Sequence, residues 1–255
     1  MKILVTGASG YIGQKLALTL AAQQNKVVAL VRSPAANAAL SHSNIQTCLG
    51  DINDPLAVAA AMAGCQQVYH VAGYARLWAA DSAIFYRINV DGTRTVLHAA
   101  LQENIQRLVY TSSTAVFGPS LSQPTIESDP RTIAFDNDYD LSKHLAELEV
   151  HKYIQLGLPA VIVNPSRVFG PGLPSASNGL RPMLKKAMQK RMILLPGKTN
   201  VIGNYAYIDD VVNGHINAML MGVCGERYIL GGENKSIQDL IDTIAGFTGP
   251  FPTIS

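Results

Sequence analysis

Apolar and polar positions fall into a repeating order along the chain. Short runs rich in Val, Ile and Leu alternate with longer stretches of helical periodicity. The runs are Lys2–Thr6, Lys26–Val31, Ile45–Leu49, Gln67–Val71, Arg107–Thr111 and Ala160–Val163. Between them the pattern predicts helices from Gln14 to Ala22, from Asp54-Pro55 to about Ala63, from Ile84 to Leu101 and from Asp138 to Gln155. Asp54 stands as an N-cap before a proline at the first helical position. Strands alternating with helices predict right-handed crossovers and a parallel sheet. The near-continuous apolar strands predict cover on both faces. The fold class is α/β, a doubly wound parallel sheet.

Beyond Pro165 the pattern changes. Residues 167–178 are rich in Gly, Pro and Ser and read as a crossing loop. A basic helix near Leu180–Lys190, a helix Asp209–Met221, a strand Arg227–Leu230 and a helix Ser236–Phe247 follow. The reading divides the chain into a cofactor-binding domain, 1–172, and a small substrate-binding region, 173–255, interleaved with the end of the sheet.

Composition narrows the function classes. The 255 residues are 48% hydrophobic and 15% charged, with a net charge of +2, which gives no reason to expect nucleic acid or a membrane surface. No apolar run approaches the roughly 20 residues of a membrane span, and the first residues read as a strand rather than a leader. Cys48, Cys65 and Cys224 lie far apart without metal-ligand spacing, so no metal is expected and a reducing cytoplasm is.

Chemistry first shows at the amino terminus. The strand Lys2–Thr6 breaks into Gly7, Gly10 and Gly13 before the first helix. Glycines there let the backbone turn tightly, and the free N–H groups of a helix N-terminus face a phosphate. The spacing GxxGxxG is one residue longer in its first gap than the dinucleotide fingerprint. About 20 residues further on, where an acid would bind a ribose 2′-hydroxyl, the chain reads Leu30-Val31-Arg32-Ser33. A guanidinium would bind a 2′-phosphate, so Arg32 favours NADP(H) over NAD(H); a solvated strand-end charge is the alternative. Tyr139 and Lys143, four apart on a helix, share one face. An ammonium one turn away would lower the tyrosine's pKa and fit it for proton transfer to or from a carbonyl oxygen. Thr111-Ser112-Ser113 offers hydroxyls at a strand's carboxyl end, where open α/β sheets place ligands.

Taken together, Thr6–Gly13, Gly50-Asp51, His70–Gly73, Asn89–Thr93, Tyr110–Ser113, Tyr139–Lys143 and Asn164–Gly172 stand in one order. This order resembles the extended short-chain dehydrogenase/reductase family, also called the NAD-dependent epimerase/dehydratase family, over residues 1 to about 232. The resemblance implies a Rossmann fold and a set of roles. Gly7, Gly10, Tyr11, Ile12 and Gly13 would hold the pyrophosphate. Asp51 and Ile52 would contact adenine, and Val71, Ala72 and Gly73 would line the ribose channel. Pro165, Ser166 and Val168 would lie by the nicotinamide, and Thr111 would also contact the cofactor. Ser113 would be the catalytic hydroxyl, with Ser112 its competitor. Tyr139 would be the acid/base, Lys143 would bind the nicotinamide ribose, and Asn89 would support the active-site backbone.

Within the family, sugar-nucleotide enzymes usually carry an Arg-Asp pair where this chain has Gly203 and Asn204. Arg32 and the stretch Gly225–Asn234 resemble the NADP-using dihydroflavonol and cinnamoyl-CoA reductases. The expected activity is NADPH-dependent reduction of a ketone or aldehyde. A sugar epimerase or dehydratase working with NAD is the alternative, and a non-catalytic cofactor-binding sensor is a third. Tyr74, Trp78, Arg181 and Tyr205 are expected at the pocket, with core packing the alternative for Trp78. Relatives run further at the carboxyl end, so the chain reads as a shortened member or a truncated form. A homodimer through the helices around 84–101 and 138–155 is the family expectation.

Overall fold

The computed structural model describes residues 1–76, 78–120, 123–173, 175, 178, 180–195 and 198–254. Seven parallel strands form the central sheet: β1 (Lys2–Thr6), β2 (Lys26–Val31), β3 (Ile45–Leu49), β4 (Gln67–His70), β5 (Arg107–Thr111), β6 (Ala160–Pro165) and, from late in the chain, β10 (Arg227–Leu230). Their order is β10-β6-β5-β4-β1-β2-β3. The order reverses between β1 and β4, and such a switch point opens a crevice at the carboxyl ends of the strands.

Helices α1 (Tyr11–Ala22) and α7 (Ile208–Met221) cover one face. Leu16, Leu20, Val211 and Met219 pack there on Val5, Val27, Val109 and Val161. Helices α2 (Pro55–Met62), α4 (Gly92–Gln102) and α5 (Asp138–Gln155) cover the other, where Val58, Leu97, Ala146 and Val150 meet Leu4, Val68, Leu108 and Ile162. Alternate strand residues thus feed opposite layers, as a side-chain period of two requires. Asp54 caps α2, accepting from Leu56 and Ala57 N–H.

The structure corrects three expectations. Helix α1 begins at Tyr11, so Tyr11, Ile12 and Gly13 form its first turn. The stretch expected as one helix over 84–101 is α3 (Ala83–Tyr86), a π-helical turn (Arg87–Asp91) and α4. The extra residue per turn re-aims side chains locally, a device frequent at functional sites, and Asn89 sits in it. The loop after Pro165 contains strand β7 (Arg167–Phe169), which with β9 (Ile202–Tyr207) and β11 (Glu233–Ser236) makes a three-stranded sheet. Strands β8 (Ile193–Leu194) and β12 (Thr253–Ile254) pair beside α6 (Leu180–Met188) and α8 (Ile237–Thr248), the latter opened by a Ser236/Asp239 capping box. Among the described residues no helix is long and apolar enough to cross a membrane.

Candidate active site

At the switch point the glycine turn is closed too tightly for side chains. Gly7 has φ +68°, and a Cβ there would meet Ala72 N at 2.6 Å. A Cβ at Gly13 would run into the Gly7 carbonyl. Gly10 N–H donates to Gly7 O at 2.8 Å, closing the turn. No side chain caps α1 at Gly10, so its first-turn N–H groups suit an anion. A dinucleotide pyrophosphate fits this cradle. Tyr11 is buried and donates to Gly170 O at 3.0 Å; burial first, then Tyr207, push its pKa up to about 12. It packs as much as it could bind.

Around this turn, Val71, Ala72 and Gly73 follow β4 directly, and Ala72 N–H donates to Thr6 Oγ1 at 3.2 Å. Arg32 lies just past β2, exposed, and makes no ion pair among the described residues. Asp51 accepts from Asn53 N–H at 2.9 Å. Ile52 belongs to the core: a Cβ at Gly92 would meet its Cδ1 at 2.5 Å, so its side chain is not offered to a ligand. Val168 is likewise buried in the α1/α7 layer, whereas its neighbour Arg167 is exposed. Pro165 ends β6, and the Ser166 hydroxyl next to it is buried with no protein partner among the described residues, as is that of Ser112.

Ser113 and Tyr139 meet. The half-buried Ser113 caps the short 3₁₀ turn Thr114–Phe117 through Ala115 N–H at 3.2 Å, and its hydroxyl stands close enough to the Tyr139 phenol to pull that group's pKa down. Tyr139 is the second residue of α5, whose cap Asn137 accepts from Asp140 N–H at 2.8 Å. Burial raises the Tyr139 pKa, and Ser113 partly offsets that. This is opposite to the lowering expected from Lys143. The reason lies in where Lys143 goes: its Nζ donates to Tyr110 Oη and to Thr111 O, both at 2.7 Å. Burial brings the Lys143 pKa down to about 7, against a smaller upward pull from Glu147.

Thr111 contributes its carbonyl oxygen here, not its hydroxyl. Because Tyr110 faces the α4/α5 layer, Thr111 faces the other, and Thr111 Oγ1 pairs with His215 Nε2 at 2.9 Å. His215 Nδ1–H donates to Val211 O at 2.7 Å, which leaves Nε2 as the acceptor. Asn89 is fully spent on protein groups: Oδ1 accepts Tyr74 N–H at 2.7 Å, and Nδ2 donates to Ser142 Oγ at 2.9 Å and to Tyr74 O at 3.3 Å. Ser142 in turn donates to Tyr139 O. Asn89 therefore ties the loop after β4 to the helix that carries Tyr139.

The expected pocket residues separate. Tyr74 packs edge-to-face on Phe85 with ring centroids 5.0 Å apart. Trp78 is 76% exposed, which removes the core-packing alternative. Arg181 is exposed and donates to Gly172 O at 2.5 Å, and Tyr205 is buried beneath the Arg167 guanidinium, 5.8 Å from its ring. The sequence places Tyr110, Thr93, His70 and Asn164 within the ordered motifs but gives them no role, and it does not single out Glu147. Asn164 Nδ2 joins Glu147 Oε1 at 2.7 Å to Ser113 O at 3.1 Å, bracing the Ser113 backbone. A cavity of about 490 Å³ bordered by Glu127, His144, His151 and Arg227 opens on another side of α5 and holds none of the expected site residues.

Comparison with known proteins agrees with this geometry. The NAD dependent epimerase/dehydratase family matches residues 3–231. A putative dihydroflavonol 4-reductase of Synechocystis sp. is 35% identical, covering 98% of this chain and 74% of that protein. Sterol demethylase protein B of Methylococcus capsulatus is 30% identical, covering 100% and 77%. A UDP-glucuronic acid 4-epimerase from Bacillus cereus, solved with NAD, superposes with a TM-score of 0.89 at 24% identity, covering 100% and 85%, a likeness of fold. The chain belongs to the NAD-dependent epimerase/dehydratase family, the extended short-chain dehydrogenase/reductases, and is an NAD(P)-dependent enzyme of that type.

Proposed function

We propose that the chain is an NADPH-dependent reductase of a small-molecule ketone or aldehyde, similar to the dihydroflavonol reductases. The observation that carries this reading is the Ser113 hydroxyl beside the Tyr139 phenol at the carboxyl end of β5, with the Lys143 amine on the same helix face as the tyrosine. When bound, the nicotinamide supplies the hydride. Tyr139 protonates the substrate oxygen, and its raised pKa suits a proton donor, because the phenol stays protonated until an alkoxide develops beside it. Ser113 holds that oxygen, Asn89 fixes the backbone behind Tyr139, and Lys143 binds the nicotinamide ribose. Arg32, exposed and without an ion pair among the described residues, supports a 2′-phosphate and hence NADP(H) over NAD(H). A homodimer through α4 and α5 belongs to the same reading; Leu148 on α5 is exposed for it.

Following NADPH oxidation over a panel of aromatic ketones and aldehydes tests the proposal. Tyr139→Phe should remove most turnover and leave NADPH binding nearly intact; retained turnover would refute the assignment. Equal KM values for NADPH and NADH would remove the Arg32 role.

A second reading, a sugar epimerase or dehydratase, draws support from one contact. A Cβ at Gly203 would collide with the Arg167 guanidinium. The strand that lacks the diphosphate-gripping arginine therefore receives a guanidinium from β7 in the same place. Protein that purifies with bound cofactor and consumes no NADPH would favour this reading.

A further inference from the structure

Three polar side chains occupy one row of the central sheet. Thr6 of β1 pairs in register with His70 of β4, and His70 with Tyr110 of β5. All three are fully buried at the carboxyl ends of their strands, under α4 and α5. Thr6 Oγ1 lies 2.7 Å from His70 Nδ1, and His70 Nε2 lies 3.0 Å from Thr93 Oγ1 of α4. Thr93 also stands close enough to the Tyr110 phenol to pull its pKa down, against the larger rise from burial, and Tyr110 Oη accepts from Lys143 Nζ at 2.7 Å. One end of this chain is the residue before Gly7, and its Thr6 hydroxyl also holds Ala72 N–H. The other end is Lys143. Neither the proposed chemistry nor the cofactor cradle uses the row itself.

An uncharged buried row of this kind costs desolvation and is retained only when each member is satisfied. Here each member has a partner. With Lys143 charged, its N–H donates to Tyr110 Oη, and Thr93, beside that phenol, donates to His70 Nε2. His70 Nδ1–H then donates to Thr6, a tautomer assigned from the network. Two of the three Lys143 donors are committed, to Tyr110 and to Thr111 O. A Cβ placed on the exposed Gly73 would sit 3.9 Å from Nζ, so the ammonium lies directly beneath the crevice at that glycine. One N–H remains for whatever lies there.

We propose that Tyr110 is a positioning residue for Lys143: it holds the ammonium beneath Gly73 with a single N–H left for the cofactor ribose, and the Thr6–His70–Thr93 row anchors Tyr110 to the glycine turn. This rests on the reading that Lys143 meets the nicotinamide ribose. The titratable groups around Lys143 are Tyr110 from β5, His70 from β4, and Tyr139 and Glu147 one turn either side on α5. An ammonium depends on its acceptor more than a neutral amine does, so removing the Tyr110 hydroxyl disfavours the charged lysine.

The test is binding rather than turnover. Dissociation constants for NADPH, or for NADH if it binds the native protein more tightly, are measured by nucleotide fluorescence from pH 6 to pH 9. Native protein is compared with Tyr110→Phe, Thr93→Val and Tyr139→Phe. Tyr110→Phe should weaken binding about tenfold at pH 7 and move the alkaline loss of binding about one pH unit lower. Thr93→Val, which leaves Tyr110 and Lys143 in place, should shift both in the same direction by about a third as much; it decides the matter if Tyr110→Phe does not fold. A Tyr110→Phe protein with a binding profile superimposable on the native one overturns the proposal, as does an unmoved Thr93→Val. Turnover by Tyr139→Phe would refute the catalytic assignment while leaving these binding results readable. Native protein that binds neither nucleotide overturns both.

Discussion

Lys143 makes a stability prediction that needs no ligand. Its pKa falls from 10.5 to about 7 because the folded protein buries the amine. Between those two values the unfolded chain binds a proton that the folded protein does not. Stability must therefore rise with pH across that window, and the cost of burying the charge is fully present below it. At about 1.4 kcal/mol per pH unit the cost reaches about 5 kcal/mol near pH 7. Lys143→Met keeps the length of the side chain and removes the charge. It also strands Tyr110 Oη and Thr111 O, each previously 2.7 Å from Nζ, at about 1–2 kcal/mol apiece. The variant should be about 1–3 kcal/mol more stable than the native protein at pH 7. By about pH 10, where the native amine is neutral when folded, the order should reverse. Urea unfolding of both proteins at intervals from pH 7 to pH 10 measures the difference, and other titrating groups cancel in the comparison. Parallel stability curves, or a variant less stable throughout, would show that Lys143 carries no burial penalty and would refute the reasoning.

Two further outcomes follow from buried groups elsewhere. Gly7→Ala forces a Cβ onto a residue at φ +68°, 2.6 Å from Ala72 N and 2.7 Å from its Cα; it should cost at least about 3 kcal/mol in urea unfolding and abolish NADPH binding, and a melting temperature within a degree of native would contradict this. His70 and His215 are buried with pKa values brought down from 6.5 to about 3 and about 4. The unfolded chain takes up both protons first, so stability should fall as pH drops from about 6.5 towards 4. His215→Gln should lower the slope of stability against pH by about 1.4 kcal/mol per unit between pH 6 and 5; an unaltered slope would mean that His215 is not held neutral.

What the sequence shows well is what short-range physics decides. The apolar runs, the Asp54 cap and the glycine turn each depend on a few adjacent residues, and all three form where the pattern places them. Tyr139 and Lys143 share a helix face for the same reason. The direction of Lys143 does not follow from that face, because it depends on Tyr110 and on the Thr111 carbonyl, more than 30 positions earlier. Thr111 shows a related limit. Strand alternation alone tells that Tyr110 and Thr111 face opposite layers, but His215, 104 positions on, decides what Thr111 meets. The β7–β9 pairing was illegible because a three-residue strand between glycines and prolines gives no periodicity to read. A trace of the polar row was present: Thr6, His70 and Tyr110 each place a hydrogen-bonding group near the end of an otherwise apolar strand.

The end of β5 is pinned from both sides of the sheet, and this bears on the role proposed for Ser113. Tyr110 is held through Lys143 under α5, and Thr111 through His215 under α7. Ser112 N–H donates to Val163 O at 2.7 Å, and the Ser113 carbonyl accepts from Asn164, itself braced by Glu147. Four successive residues are thus fixed by α5, α7 and β6 before any ligand arrives. A hydroxyl so placed need not be reorganised as charge develops on a substrate oxygen, which is where preorganised donors contribute most to catalysis. Loosening the His215 or the Asn164 anchor should then reduce turnover more than it reduces cofactor binding, because neither side chain bonds the glycine turn or Lys143.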